Sequence, residues 1–428
     1  MDFRELEREM IRTRRDFHRY PEAAWTEFRT SSIIAERLER LGYKNLRVGR
    51  QVINPDAVMG RPSEDEISEH IKRAVMQGGN LGWIKEMNRY TGVTAELDTG
   101  VPGPVLALRF DIDCVEVCED ESSEHRPVRE NFASMNTNLA HACGHDAHAA
   151  MGLGIAEMLI ARESFLKRGK IKLIFQPAEE GCRGAYAMTQ AGIVDDADYF
   201  LAMHIGGALP TGTFGVNSLG YMATTKLDAK FTGVPAHAAG SPSSGRNALL
   251  AAASAALAIH SIPPHSAGKM RVNVGVLQAG TGRNVIAPNA LMKLEVRGST
   301  QEISDYACSR AVEILNGASV MYGTDLELIK TGESLTAQGN EDLAQLAAQA
   351  VKNLNIFDFI FDSTKAGGSE DAAWFMHRVQ ERGGKATYMA LGSTITAPHH
   401  NGSFDLDERA MLYGVRAMTA IAEAILNN

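Results

Sequence analysis

Cysteine is scarce in this chain of 428 residues. The five cysteines are Cys114, Cys118, Cys143, Cys182 and Cys308. Because their number is odd and their spacing is irregular, the pattern does not predict a disulfide framework. Disulfides are rare in reducing compartments, and we therefore expect these cysteines to be free thiols in such a compartment.

The sequence also lacks a basic surplus and a long apolar run. Lysine and arginine number 43 against 52 acidic residues, for a net charge of -9, which argues against nucleic acid or a membrane surface as a partner. No stretch approaches the roughly 18 apolar residues of a membrane span. The first residues, MDFRELEREM, lack the apolar core of a signal peptide. We expect a cytoplasmic protein.

Several well-known catalytic motifs are missing. There is no H-E-x-x-H, and no G-x-S-x-G, so the sequence does not favour a serine hydrolase. Residues 240–247 resemble a phosphate-binding loop only superficially, because Arg246 and Asn247 stand where Lys and Ser or Thr are required.

The chain does contain short apolar runs that alternate with helical patterns. This alternation is typical of an α/β domain with a mainly parallel sheet. Residues 51–92 are polar and helical in pattern, which indicates a surface insertion. Between 223 and 335 the order becomes β-α-β-β-α-β, which is ferredoxin-like. We therefore predict a catalytic domain in two pieces, 1–222 and 336–428, with an inserted lid or dimerisation domain at 223–335.

Four predicted strands are followed directly by polar residues. The strands span 105–110, 171–176, 199–203 and 386–391, and the polar residues after them are Asp111 and Asp113, Glu179 and Glu180, His204, and His399 and His400. In open α/β sheets ligands bind outside the carboxyl ends of the strands. We expect these side chains to converge on one site.

The strongest local signal is the run HACGHDAH at 141–148. Thiolate and imidazole are usual ligands of zinc-like ions, and Cys143 and His145 at the start of a helix are spaced to reach one ion. The helix N-terminus also favours a thiolate through its dipole. The alternative is a capped helix start with incidental histidines.

The remaining strand ends are ambiguous when taken singly. Of two adjacent carboxylates, Glu179 and Glu180, one can ligate a metal while the other handles a proton, although a solvated loop is the alternative. A lone His204 is more often structural, and either His399 or His400 can ligate. Together these strand ends indicate a metal site, and Mn²⁺ and Zn²⁺ both suit its donor atoms.

These residues resemble the M20 metallopeptidases, and within them the amidohydrolase branch that includes hippurate and auxin-conjugate hydrolases. The matching stretches run in order along nearly the whole chain: Arg15 to His18 with Pro21 and Glu22, Arg109 to Asp113, HACGHDAH at 141–148, QPAEEG at 176–181, His204, Ala236 with His237, GTGRNVIAP at 280–288, and His400 with Phe404. The resemblance implies a zinc-peptidase-like catalytic domain with a lid.

The resemblance further implies two divalent ions, Mn²⁺ or Zn²⁺. Cys143 would bridge both ions, His145 and His204 would complete one, and Glu180 and His400 would complete the other. His400 is favoured over its neighbour because the family's ligand stands four residues before a phenylalanine, here Phe404.

Asp111 and Asp113 would support these ligands. The chain departs from the family just after them, where Cys114-Val115-Glu116 replaces a small residue and a proline.

The same resemblance implies the catalytic and substrate-binding residues. Glu179 would act as general base and then as acid. His237 on the lid would reach the active site of a neighbouring copy and polarise the scissile carbonyl. Asn284 and Arg297 would bind the substrate's carboxylate, for which a guanidinium fork is suited.

We expect hydrolysis of the amide bond of an N-acyl amino acid, first of all p-aminobenzoyl-glutamate. The alternatives are another aromatic or indole acyl-amino acid, or a noncatalytic subunit of a hetero-oligomer. The lid would pair two identical chains as a homodimer, or join this chain to a related B subunit.

Overall fold

The computed structural model describes residues 2–207 and 209–427. Its strands, in chain order, are β1 Lys44–Val48, β2 Val93–Asp98, β3 Val105–Asp111, β4 Lys170–Gln176, β5 Tyr199–Ile205, β6 Thr213–Gly215, β7 Ser218–Leu219, β8 Ala223–Thr232, β9 Met270–Ala279, β10 Asn289–Gly298, β11 Asp325–Ser334, β12 Phe359–Phe361, β13 Thr364–Lys365 and β14 Lys385–Leu391. Strands over 105–110, 171–176, 199–203 and 386–391 are therefore confirmed.

The helices complete the alternation. In chain order they are α1 Phe3–Arg19, α2 Phe28–Leu41, α3 Glu64–Met76, α4 Leu81–Glu86, α5 Arg126–Arg129, α6 His145–Ala161, α7 Gly184–Gln190, α8 Ala248–His260, α9 Gln301–Tyr322, α10 Glu341–Lys352, α11 Ala373–Glu381 and α12 Ala410–Asn427. No helix in the described ranges has both the length and the apolar character needed to cross a membrane.

The chain divides into two compact units. The first comprises Met1–Leu219, Ala337–Ala366 and Asp371–Asn428, and the second comprises Gly220–Thr336 and Gly367–Glu370.

The first unit is built on an eight-stranded sheet of order β1-β2-β4-β3-β5-β14-β6-β12. The central strands β4, β3, β5 and β14 are parallel neighbours, whereas β1 and β2 add antiparallel pairings at one edge. The prediction of a mainly parallel sheet is confirmed. Strand β14 lies between β5 and β6 in the sheet, although it comes late in the sequence.

Helix α6 packs so closely on this sheet that it needs glycine. It is buried along nearly its whole length. A Cβ added at Gly152 would lie 2.5 Å from the ring of Phe175, and one at Gly154 would lie 2.5 Å from the sulfur of Met10. The two glycines therefore allow α6 to approach both the sheet and α1.

The polar stretch 51–92 contributes to the same core. Its apolar side chains Ile67, Ala74, Ile84 and Met87 are buried in the main hydrophobic cluster of the first unit. The stretch is therefore polar on its outer side and anchored on its inner side.

The second unit is a four-stranded antiparallel sheet of order β11-β8-β10-β9, with α8 after β8 and α9 after β10. The alanine-rich inner face of α8 and the inner face of α9 share one hydrophobic cluster with the sheet. Strand β9 is at an open edge of this sheet.

A buried charge network ties α1 to the segments beside the strand ends of the first unit. The fully buried Arg14 guanidinium lies 2.7 Å from Asp146, 3.0 Å from Asp405 and 3.2 Å from Glu408. Burial alone would raise the pKa of Asp405, but Arg14 and Arg126 lower it to about 2. This carboxylate therefore contributes stability above a pH of about 4, which is lost as the pH falls towards 2.

Replacing Arg14 with methionine is expected to destabilise the protein by about 3–5 kcal/mol, because it leaves several buried carboxylates without their cation. Denaturant unfolding at neutral pH measures the effect. The control is Arg8→Met on the same helix, where the pair with Glu5 is largely exposed and is expected to matter by less than about 1 kcal/mol. Equal unfolding midpoints for the two variants would contradict the role of Arg14.

Candidate metal centre

The predicted ligands come from loops at one edge of the parallel sheet. Strands β3, β4 and β5 are parallel neighbours, and Asp111, Glu179 and His204 lie at or beyond their carboxyl ends. Cys143 lies just before the start of α6. The convergence expected from the four strand ends is therefore present.

Cys143 belongs to two groups of potential ligand atoms. One group is Cys143, His145 and His204, and the other is Cys143, Glu180 and His400; within each group the ligand atoms lie within 4.8 Å of one another. The Cys143 sulfur is 3.6 Å from Nε2 of His204, and Nε2 of His400 is 3.2 Å from Oε1 of Glu180. The five residues thus form two overlapping sets of donors that share one thiol.

Backbone carbonyls orient the two imidazoles of the first group. Nδ1 of His145 donates to the carbonyl of Asp113 at 3.0 Å, and Nδ1 of His204 donates to the carbonyl of Ile205 at 2.8 Å. In a neutral imidazole such bonds leave Nε2 with its lone pair, which is the arrangement of metal-ligating histidines. Nε2 of the buried His145 has no hydrogen-bond partner among the described residues. This orphaned atom fits a metal ion, as does the mixture of thiol, imidazole and carboxylate donors.

His148 forms a third group of potential ligand atoms with Asp111 and His145. Its two ring nitrogens are already used, however: Nδ1 bonds the carboxylate of Asp111, and Nε2 accepts the backbone N–H of Ile205 at 2.8 Å. His148 is therefore a structural histidine, and Asp111 is occupied by His148 and Arg109. The sequence motif alone did not separate His148 from the potential ligands.

Asp113 organises the loop after β4, which we call the acidic turn (residues 177–183). Its carboxylate accepts the backbone N–H groups of Glu179 at 3.1 Å and Glu180 at 2.9 Å. Ala178 and Cys182 have positive φ values of 54° and 60°, so the turn depends on such external bonds. Glu179 Oε2 lies 4.0 Å from Nε2 of His145, which places this buried carboxylate beside the potential ligands.

The charge states of the potential ligands differ. Burial holds the pKa of His204 well below its usual value, so its imidazole is neutral. Burial alone would raise the pKa of Glu180, but His400 and His145 lower it. Hydrogen bonds to Cys143 and Glu180 raise the pKa of His400 to about 10.

The geometry distinguishes the two adjacent histidines. Nε2 of His399 accepts the backbone N–H of Gly207 at 3.0 Å, whereas His400 faces Glu180. His400 has a positive φ of 63°, and its N–H donates to the carbonyl of Ala142. The loop thus brings His400 against the segment that carries Cys143.

The remaining predicted residues belong to the second unit. His237 is exposed, and its Nδ1 accepts the N–H groups of Ala239 and Gly240. Asn284 is also exposed, and its carbonyl accepts the N–H of Ala238, so it is a close neighbour of His237. Arg297 lies on β10 and forms two hydrogen bonds with Glu295.

Two supporting carboxylates were missed by the sequence reasoning. Glu27 accepts the N–H of Ala178, and Asp371 accepts bonds from Gln176 and Ala185 on the two sides of the acidic turn. Neither acid stands in a recognisable motif. Their burial depends on residues far away in the chain, so no local signal was available to find them.

Removing the shared thiol tests the two overlapping groups. Cys143→Ala is expected to lose metal from both, because each then retains only two of its potential ligands. The metal-stripped protein is loaded with Mn²⁺ or Zn²⁺ and desalted, and its metal content is then measured by mass spectrometry. Cys118→Ala is the control, since Cys118 is exposed and outside both groups. Wild-type metal content in Cys143→Ala would refute the shared role.

Comparison with known proteins gives consistent relatives. The chain is 49% identical over 421 residues to an indole-3-acetyl-aspartic acid hydrolase of Enterobacter agglomerans, covering 98% of this chain and 96% of the relative. It is 47% identical over 411 residues to one subunit of the p-aminobenzoyl-glutamate hydrolase of Escherichia coli K12, covering 96% of this chain and 94% of that relative.

A solved structure agrees with these sequences. The aminobenzoyl-glutamate utilization protein of Klebsiella pneumoniae superposes with a TM-score of 0.84 at 41% identity, covering 99% of this chain and 97% of that one. The model of peptidase family M20/M25/M40 matches residues 107–424, which include all five potential ligands. The expected resemblance is thereby confirmed: the chain belongs to peptidase family M20/M25/M40.

Proposed function

We propose that this protein hydrolyses the amide bond of p-aminobenzoyl-glutamate, releasing p-aminobenzoate and glutamate. The observation that carries the proposal is the position of Glu179, a buried carboxylate 4.0 Å from the imidazole of His145 and next in the chain to the potential ligand Glu180. A metal-assisted hydrolase requires a metal centre and a proton acceptor beside it.

The substrate class rests on the relatives. One is named for p-aminobenzoyl-glutamate and the other, at similar identity, for indole-3-acetyl-aspartic acid. Both compounds are amides between an aromatic acid and an acidic amino acid. Indole-3-acetyl-aspartate is therefore the second candidate substrate.

The proposed cofactors are two divalent cations, Mn²⁺ or Zn²⁺. Cys143 would contribute to holding both cations, His145 and His204 would hold one of them, and Glu180 and His400 would hold the other. When bound, the cations supply Lewis-acid activation of the attacking water and of the amide carbonyl.

Glu179 carries the proton through the reaction. It takes a proton from the attacking water as the new C–O bond forms at the amide carbon. It then gives this proton to the amide nitrogen as the C–N bond breaks, so that the amine leaves neutral and the acid keeps the oxygen. Asp113 supports these steps by holding the backbone of the acidic turn.

The second unit supplies the proposed substrate contacts. His237 of one copy donates a hydrogen bond to the scissile carbonyl bound by a partner copy, and Asn284 and Arg297 bind the carboxylate of the amino-acid portion. Arg297 already pairs with Glu295. A substrate carboxylate would offer this guanidinium the same bidentate geometry.

We also propose that two copies of the chain pair through their second units. The outer face of α8 carries Leu249, Leu250 and Leu257, which are 41%, 45% and 78% exposed. Its inner face is buried against its own sheet, so the helix is apolar on both sides. An apolar outer face of this kind is typical of an interface.

Hydrolysis by the purified chain is the first test. With Mn²⁺ or Zn²⁺ restored to stripped protein, we expect release of p-aminobenzoate, and slower release of indole-3-acetate from the aspartate conjugate. Glu179→Gln is expected to keep its metal and to lose about 10²–10⁴-fold in kcat, because the proton acceptor is gone.

The control is Glu116→Gln, an exposed acid that follows the end of the neighbouring strand β3, which is expected to keep wild-type turnover. Near-normal activity in Glu179→Gln would refute the mechanism. Faster hydrolysis of the indole conjugate would select the second candidate substrate.

Sedimentation equilibrium tests the pairing. The wild-type chain is expected to have twice the mass of one copy, and Leu250→Glu with Leu257→Glu is expected to sediment as a monomer. Met76→Glu is the control, because Met76 is 80% exposed on the first unit. A monomeric wild-type chain would contradict the homodimer and favour a heteromer with a related B subunit.

A further inference from the structure

The acidic turn does not hold its shape by local preference. Ala178, Gly181 and Cys182 all have positive φ, and two of the three are not glycine. Residues in such conformations persist only where their surroundings impose them. The bonds that impose this conformation therefore bear on where Glu179 points.

Two buried carboxylates bind three successive N–H groups of the turn. Asp113 accepts those of Glu179 and Glu180, and Glu27 accepts that of Ala178 at 2.8 Å. Asp113 is anchored just past the end of a central strand. Glu27 stands at the N-cap of α2, where its carbonyl accepts the N–H of Ser31, but its side chain makes no capping bond to that helix.

Glu27 is held instead by two neighbours. Its Oε1 accepts the N–H of Trp25 at 3.1 Å, and its Oε2 accepts the hydroxyl of Thr91 at 2.6 Å. Trp25 has a positive φ of 69° and is 1% exposed, and its indole N–H donates to the carbonyl of Met59 at 2.8 Å. The polar stretch 51–92 therefore fixes Glu27 through Met59 and through Thr91.

The same stretch also contacts the far side of the turn. The carbonyl of Gly60 accepts a bond from Arg183 at 3.1 Å, and the N–H of Asn54 donates to the carbonyl of Ala187 on α7. We call residues 54–60 the brace. Through Met59 the brace binds Trp25, and through Asn54 it binds α7, the helix that follows the acidic turn.

We infer that the brace is a positioning element for Glu179, acting through Trp25 and Glu27 on one side and Arg183 on the other. Glu27 is then a positioning residue and does not touch the substrate. This gives the polar stretch 51–92 a role in the reaction. The inference rests on the proposed function, because that function assigns Glu179 its role as proton acceptor.

Three variants separate positioning from general stability. Glu27→Ala removes the acceptor of the Ala178 N–H, and Glu27→Gln restores an acceptor for that N–H together with a donor to Thr91. Trp25→Phe keeps the buried ring but deletes the bond to Met59. The control is Glu22→Ala: Glu22 is an equally buried acid in the same connection that accepts the N–H groups of Arg29 and Thr30 at the start of α2.

Hydrogen exchange tests the effect of the brace on the acidic turn without any substrate. The exchange rates of peptides over the turn are measured by mass spectrometry on the metal-loaded protein. Glu27→Ala is expected to speed exchange at residues 178–180 by up to about tenfold, as for a lost hydrogen bond. Trp25→Phe is expected to act in the same direction, and Glu22→Ala only at the start of α2. Unchanged exchange over the turn in both Glu27→Ala and Trp25→Phe would overturn the inference.

Turnover measures the consequence. In Glu27→Ala we expect kcat to fall about ten- to hundredfold at unchanged metal content and nearly unchanged KM, because the carboxylate of Glu179 is displaced. Glu27→Gln should recover most of this loss. An equal fall in Glu22→Ala would show a merely structural effect and overturn the inference. Full activity in Glu179→Gln would instead reject the proposed function, while the exchange result would still decide the brace.

Discussion

The site depends first of all on how one buried aspartate is bonded. Asp113 uses three oxygens: its carbonyl orients the imidazole of His145, and its two carboxylate oxygens hold the N–H groups of Glu179 and Glu180. A buried carboxylate is costly unless it is fully bonded, so its position leaves little freedom. Moving this residue would disturb a potential ligand of each group and the proposed base at the same time.

Much of the fold was predictable from local pattern. The buried parallel strands are short apolar runs, and the polar residues at their ends are visible in the sequence. In the second unit the elements β8, α8, β9, β10, α9 and β11 follow the β-α-β-β-α-β order read from the sequence. The antiparallel strands β1 and β2 were not predicted, because the pairing of β1 with β2 and of β2 with β4 depends on contacts between distant segments.

The residues of the candidate site were named from the sequence, but their separate duties were not all visible there. The motif at 141–148 places His145 and His148 one helical turn apart, and only the bonds of His148 to Asp111 and Ile205 show that its nitrogens are engaged. Glu27 was missed because Thr91 and Ala178, which bond its side chain, lie 64 and 151 residues away in the chain. Partners at such sequence distances leave no periodic signal.

The place of β14 in the sheet has a consequence for synthesis on the ribosome. This strand lies between β5 and β6, yet some 180 residues separate Ile205 from Lys385. At about 5–20 residues per second, β5 waits roughly 10 to 40 s for its neighbour. During that interval an apolar strand edge is open, and His400 has not yet been translated. The group of potential ligands that includes His400 is therefore complete only near the end of translation, and until β14 is made the first unit keeps a strand edge open to wrong pairing.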